Sequence, residues 1–178
     1  MTNTLTVQQK KRRKCLLSAV LICAALIAPG LYNKLYIRHY TLEADEITSP
    51  IRIALITDLH SCKYGEQESE LLDAIDDQQP DVILLGGDIF DDEKDDLNTE
   101  AFLQGISGKY PVYYVTGNHE YWSGSAFHQK MAMLDKYHIP RLSGTSDDLT
   151  IGTQTVTICG IDDQTDADSE KQFAVIRL

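Results

Sequence analysis

The sequence predicts an α/β fold built on a mostly parallel sheet, and three observations carry that expectation. Apolar runs of strand length occur at 52–58 (RIALITD), 82–86 (VILLG) and 112–117 (VYYVTG). Segments with apolar residues at helical spacing separate them, at 66–78 and 97–107. Strand, helix, strand, helix, strand is the order of crossover units on a parallel sheet.

The N-terminal part reads differently. The chain has 178 residues and a formal charge of −11, unevenly spread: residues 1–38 hold seven Lys or Arg and no acid, whereas the rest holds 27 acids against nine bases. Residues 1–14 form a basic tail ending in KKRRK, expected on the cytoplasmic side. Residues 15–32 are expected to be a transmembrane or signal-anchor helix, because 15–31 are uncharged and would span about 25 Å as a helix. The basic flank would make the protein single-pass in the cell membrane, with its domain extracytoplasmic. Tyr32, Tyr36 and Tyr40, with Lys34 and Arg38, suit an interfacial collar. A cleaved signal peptide and a twin-arginine signal compete with this reading, on a weak cleavage match at Ala28 and Gly30 and an imperfect Arg12-Arg13 pair.

Residues 33–50 read as a polar linker ending at Pro50, and 51–178 as the folded domain. Its first run, 52–58, is apolar at its centre and Ile-rich, as in a strand buried on both faces. In 66–78, Leu71, Leu72 and Ile75 share one helix face; Pro80 and Asp81 then break the helix before the second buried strand. The helix expected over 97–107 precedes the third strand, and one over 125–137 presents Phe127, Met131 and Leu134. Weaker strands are expected at 139–142, 148–152 and 155–159, the last two forming a hairpin about Gly152. The final FAVIRL, 173–178, reads as another buried strand.

The acidic body repels a bare polyanion, so no nucleic-acid partner is expected. Cys15, Cys23, Cys62 and Cys159 make no CxxC pair, and a disulfide framework is not expected. Cys62 near His60 reads as a buried or incidental thiol, and Tyr121 and Trp122 as either pocket-mouth or core residues.

The chemistry lies at the strand ends. The first strand is followed by Asp58-Leu59-His60, the second by Gly87-Asp88 with Asp91 nearby, and the third by Gly117-Asn118-His119-Glu120. In a parallel sheet these ends share one edge, where open α/β proteins place their ligands. Carboxylate, imidazole and amide oxygen together suit borderline or hard divalent ions. Asp88, on the central strand, has two oxygens and can bridge two metals.

These residues resemble the calcineurin-like metallophosphoesterase family, matching its first three blocks in order and spacing. The similarity covers about 50–165 and includes Gly160-Ile161-Asp162-Asp163, a stretch like one in membrane-anchored bacterial members. The resemblance implies an αββα sandwich and two divalent ions, manganese, iron or zinc. It implies that Asp58, His60 and Asp88 hold one ion and Asp88 and Asn118 the other, and that His119 contacts the phosphate and protonates the leaving oxygen. Glu120 or Asp91 would orient ligands rather than bind metal directly. The family pattern also has three later histidines, two in a Gly-His-x-His block. After Glu120 this sequence has only His128 and His138, which read as structural or surface residues. The expectation is therefore an incomplete, C-terminally truncated sandwich whose missing half occurs in full-length homologues. Expressed alone, it would bind metal weakly and turn over little.

The expected activity is metal-dependent hydrolysis of a phosphate monoester or diester, on a small-molecule or lipid-linked substrate at the membrane. The alternative is a non-catalytic, membrane-anchored module that binds a metal or a partner.

Overall fold

A computed structural model of the chain describes residues 7–27 and 35–176. They divide into two compact units, residues 1–36 and 37–178. The first unit contributes helix α1, Val7–Ile27. Among the described residues no helix is long and apolar enough to cross a membrane; the expected span over 15–32 runs beyond them at residues 28–32. The helix begins at Val7, so the five bases of KKRRK lie within it rather than ahead of it. Residues 28–34, with the expected collar residues Tyr32 and Lys34, lie outside the described residues.

The second unit holds a parallel three-stranded sheet, β1 (Ile53–Ile56), β2 (Val82–Gly86) and β3 (Val112–Val115), in spatial order β1-β2-β3. The crossovers are α2 (Ser69–Gln78), entered through a 3-10 turn at Glu66–Glu68, and α3 (Leu97–Ile106). Helix α2 ends where Gln79 turns left-handed and Pro80 follows, a residue that disfavours helix before it. Then come α4 (Asn118–Trp122), α5 (Phe127–Lys136), the antiparallel hairpin β4 (Thr145–Ile151) and β5 (Gln154–Gly160), and α6 (Ser169–Ile176). This mixed α/β architecture with a parallel sheet is consistent with the fold that the resemblance implied.

The central strand is packed on both faces. Val82 with Tyr113 meets Leu142 and the hairpin residues Leu149 and Ile158 on one side. Ile83 and Leu85, on its opposite face, are fully buried, as are Phe102, Leu103 and Ile106 of α3. Each such side chain contributes about 1.5–3 kcal/mol by leaving water. A Cβ on Gly105 of α3 would lie 2.5 Å from the Leu72 side chain, so this glycine sets how closely α2 and α3 approach.

Three local expectations are corrected. β1 is an edge strand: Ile53 and Leu55 are paired beside Val82 and Leu84 but are 50% and 67% exposed, because the hairpin packs over β2 and β3. Segment 139–142 makes only an isolated bridge, Tyr114 to Arg141. Residues 173–176 belong to helix α6 rather than a strand, with Phe173 and Val175 half or more exposed. An apolar run of six residues does not distinguish strand from helix by itself. Here Gln172, at the helix start, is drawn to Asp162 and Ser143. The 35–50 segment has no helix or strand; its end is held by the Gln154 carboxamide, which accepts from the Thr48 N–H (3.1 Å) and donates to the Ser49 carbonyl (2.7 Å).

Candidate metal centre

The loops after the three strands are tied together, first by backbone. Asp58 N–H donates to the Gly87 carbonyl (3.1 Å), His60 N–H to the Asp88 carbonyl (2.9 Å) and Ser61 N–H to the Ile89 carbonyl (3.1 Å). The second and third loops are joined by Glu120, which is fully buried. Its carboxylate accepts from the N–H groups of Asp88 (3.0 Å), Ile89 (2.9 Å), Phe90 (3.0 Å) and Gly117 (2.8 Å). A carboxylate with two oxygens can take four donors, and burial strengthens each bond. Glu120 is thus an organiser of the loops.

This closeness explains the glycines. Gly87 has φ +92°, and a Cβ there would lie 2.7 Å from the Gly117 nitrogen; a Cβ on Gly117 would lie 2.5 Å from the Asp88 nitrogen. The backbones touch where any larger residue would separate them. Asp58, His60 and Asp88 themselves adopt φ of 55°, 49° and 52°. A left-handed backbone costs a non-glycine residue about 1–3 kcal/mol and persists where surrounding contacts impose it.

The strained backbone gathers the side chains. One donor atom each from Asp58, His60 and Asp88 lies within 4.8 Å of the others, and a second group, His60, Asp91 and His119, is equally close. His60 Nε2 is 3.8 Å from Asp58 Oδ1. His60 Nδ1 is buried with no hydrogen-bond partner among the described residues, an uncommon state for a native polar atom. Clustered carboxylates, with an imidazole whose nitrogens are not consumed by the protein, fit a divalent ion. Asp88 Oδ1 also accepts from the His119 N–H (2.9 Å), and the two histidine rings meet edge to face at 4.3 Å. Asn118 opens α4 between Gly117 and His119, at the same strand end. His128 and His138 are exposed and lie on or after α5, as expected of surface residues.

Three participants were not foreseen. Asp92 Oδ1 lies 2.6 Å from His119 Nδ1. Lys94 donates to the His60 carbonyl (2.8 Å) and stands 3.4 Å from Asp91 Oδ2. Burial works against the Asp91 charge, yet the Lys94 and Glu93 N–H groups and the Lys94 ammonium hold its carboxyl below the ordinary range. Lys130 is buried inside α5 and donates to the Asp91 carbonyl (3.0 Å) and both Asp96 oxygens (2.8 and 3.0 Å). The one available signal was Lys94, the only base in the acidic run 91–96.

Behind the third loop lies a second polar cluster. Asp162 is buried and accepts from Thr116 N–H (3.2 Å), Thr116 Oγ1 (2.6 Å), Arg141 Nη2 (2.7 Å) and the Ser143 hydroxyl. Burial opposes its charge, but these donors, Arg141 first, hold its carboxyl at about 2, against an ordinary 3.8. The folded-state value is depressed, so its stabilisation is full above pH 3.8 and is lost as pH falls from 3.8 toward 2. The contribution is about 2 kcal/mol at neutral pH. Urea midpoints measured between pH 5 and about 2 should fall through this window, and Asp162→Asn should flatten that part of the profile.

The calcineurin-like phosphoesterase family model matches residues 51–170. The chain is 27% identical over 114 residues to an uncharacterized metallophosphoesterase of Campylobacter jejuni, covering 61% of this chain and 30% of that protein. It is 24% identical over 91 residues to an uncharacterized metallophosphoesterase of Helicobacter pylori, covering 49% of this chain and 25% of that one. The chain thus matches between a quarter and a third of the length of these curated relatives.

Proposed function

Because the chain belongs to the calcineurin-like phosphoesterase family, whose members are metal-dependent, we propose that it hydrolyses a phosphate ester at a site for two divalent ions. Asp58, His60 and Asp88 would hold the first ion, and Asp88 with Asn118 the second. The observation that carries this is the convergence of Asp58, His60 and Asp88 to within 4.8 Å on left-handed backbone.

When bound, divalent ions supply positive charge that polarises a phosphoryl group and acidifies water. The remaining work belongs to the chain. Asp92 lies 2.6 Å from His119 Nδ1; as an acceptor it would hold the His119 proton there and leave Nε2 for the reaction. Protonated at Nε2, His119 binds a phosphoryl oxygen and passes that proton to the leaving oxygen. Glu120 and the Asp88–His119 bond keep acid and ligands in one frame. The described residues offer the second ion only Asp88 and Asn118 from this set, so turnover by the 178-residue chain alone is expected to be slow.

The test is a manganese titration by calorimetry, paired with hydrolysis of bis(p-nitrophenyl) phosphate. Saturable metal binding with slow p-nitrophenol release, stopped by a chelator and restored by manganese, supports the reading. Metal binding with no release under any pH tried would favour a non-catalytic metal-binding module. Absence of metal binding would remove both.

A further inference from the structure

One large aromatic side chain beside the metal-site residues is largely exposed. Trp122 is 59% exposed. It lies one helical turn after His119 on α4, with its ring centroid 4.7 Å from the imidazole at 51°. The His119 ring also meets His60 edge-on at 4.3 Å. Three rings therefore run in a row from the metal-site residues to the surface. The neighbouring Tyr121 is directed otherwise: its hydroxyl bonds to Thr116 Oγ1 (3.1 Å) and Asp166 (2.7 Å), and its ring stacks on Phe127.

Resting on the proposed function above, we propose that Trp122 is a substrate-contacting residue that selects phosphate esters whose leaving group carries a planar aromatic ring. His119 gives its proton to the leaving oxygen, so the group attached to that oxygen lies beside the imidazole. Trp122 stands against that same imidazole and reaches solvent. A planar ring entering there stacks on the indole and continues the row, whereas a polyol gains little from an indole face. A long hydrocarbon would instead lie beside the Asp92 carboxylate, which is held at the His119 ring. Nucleoside monophosphates and aryl phosphates share the required ring. Nucleic-acid strands are opposed by the 27 acids of the body.

Trp122 is the only tryptophan in the sequence, so its emission reports directly on the site. The full chain, saturated with manganese to set the baseline, is titrated with 5′-AMP, phenyl phosphate and glycerol 3-phosphate, with binding followed in parallel by calorimetry. The expected result is saturable quenching by AMP, phenyl phosphate or both, and binding of glycerol 3-phosphate without it. Quenching by AMP alone identifies a nucleoside leaving group; quenching by both identifies any aryl group. Trp122→Leu should weaken the aromatic ligands about tenfold and leave glycerol 3-phosphate unchanged, and Trp122→Phe should restore most of the loss. Equal binding of all three ligands, or an equal loss of all three in Trp122→Leu, overturns the proposal while leaving phosphate binding at the metal site intact. If manganese binds and none of the three ligands does, the phosphoesterase reading fails and this proposal falls with it.

Discussion

Asp88→Asn should weaken manganese binding by at least about 100-fold while leaving the folded chain as stable as the wild type or slightly more so. Loss of an outer partner alone costs metal sites about 10–100-fold, and Asp88 belongs to the Asp58–His60–Asp88 group itself. The amide keeps an oxygen for the His119 N–H that now bonds to Asp88 Oδ1 at 2.9 Å, so the loop contact survives. What disappears is one of several carboxylates crowded together without protein cations to balance them all, which is unfavourable in the metal-free protein. Calorimetric titration and urea unfolding of the same preparation check both halves. A metal affinity within threefold of wild type would show that Asp88 is not a ligand, and a loss of several kcal/mol in stability would show that it acts as a structural residue.

Glu120→Ala is expected to act the other way, on the fold first. The substitution leaves the N–H groups of Asp88, Ile89, Phe90 and Gly117 without the carboxylate that accepts from all four. A buried donor left unsatisfied costs about 1–3 kcal/mol, and bonds to charged acceptors lie at the high end. Even with partial relaxation, a loss of about 4 kcal/mol or more follows, a large share of the stability of a small domain. Glu120→Gln should lose less, because one oxygen still accepts while its NH₂ meets the donors that faced the other. Metal affinity should fall in both variants, because the Asp88 loop is no longer held against Gly117. Urea unfolding checks the first effect; a loss below 1 kcal/mol for the alanine variant would mean that water or backbone movement replaces the carboxylate at little cost.

The two variants separate what can be read along the chain from what cannot. The strands and their trailing residues were legible: 82–86 is the observed central strand, the 148–159 stretch forms the expected hairpin about Gly152, and Asp58, His60 and Asp88 meet as the parallel order required. The edge exposure of β1 was not legible, because a run such as IALI is equally apolar whether or not another layer covers it. FAVI was misread as a strand for a related reason: a short apolar run does not by itself distinguish strand from helix, and it sits in a helix where the preceding residue, Gln172, bonds to Asp162 and Ser143. The expected membrane span over 15–32 runs past the described residues, among which no helix is long and apolar enough to cross a membrane.

By itself the sequence determined the order of strands and helices and the acid, amide and imidazole groups that follow each strand. Hydrophobic periodicity and residue chemistry are local properties, and a parallel sheet then brings successive strand ends to one edge. Only the tertiary structure decided that Glu120 joins two loops through four N–H groups, that Asp92 rather than Asp91 holds His119, and that Trp122 faces solvent while Tyr121 is anchored. Those choices depend on distances of about 3 Å between residues some thirty positions apart, which no spacing along the chain encodes.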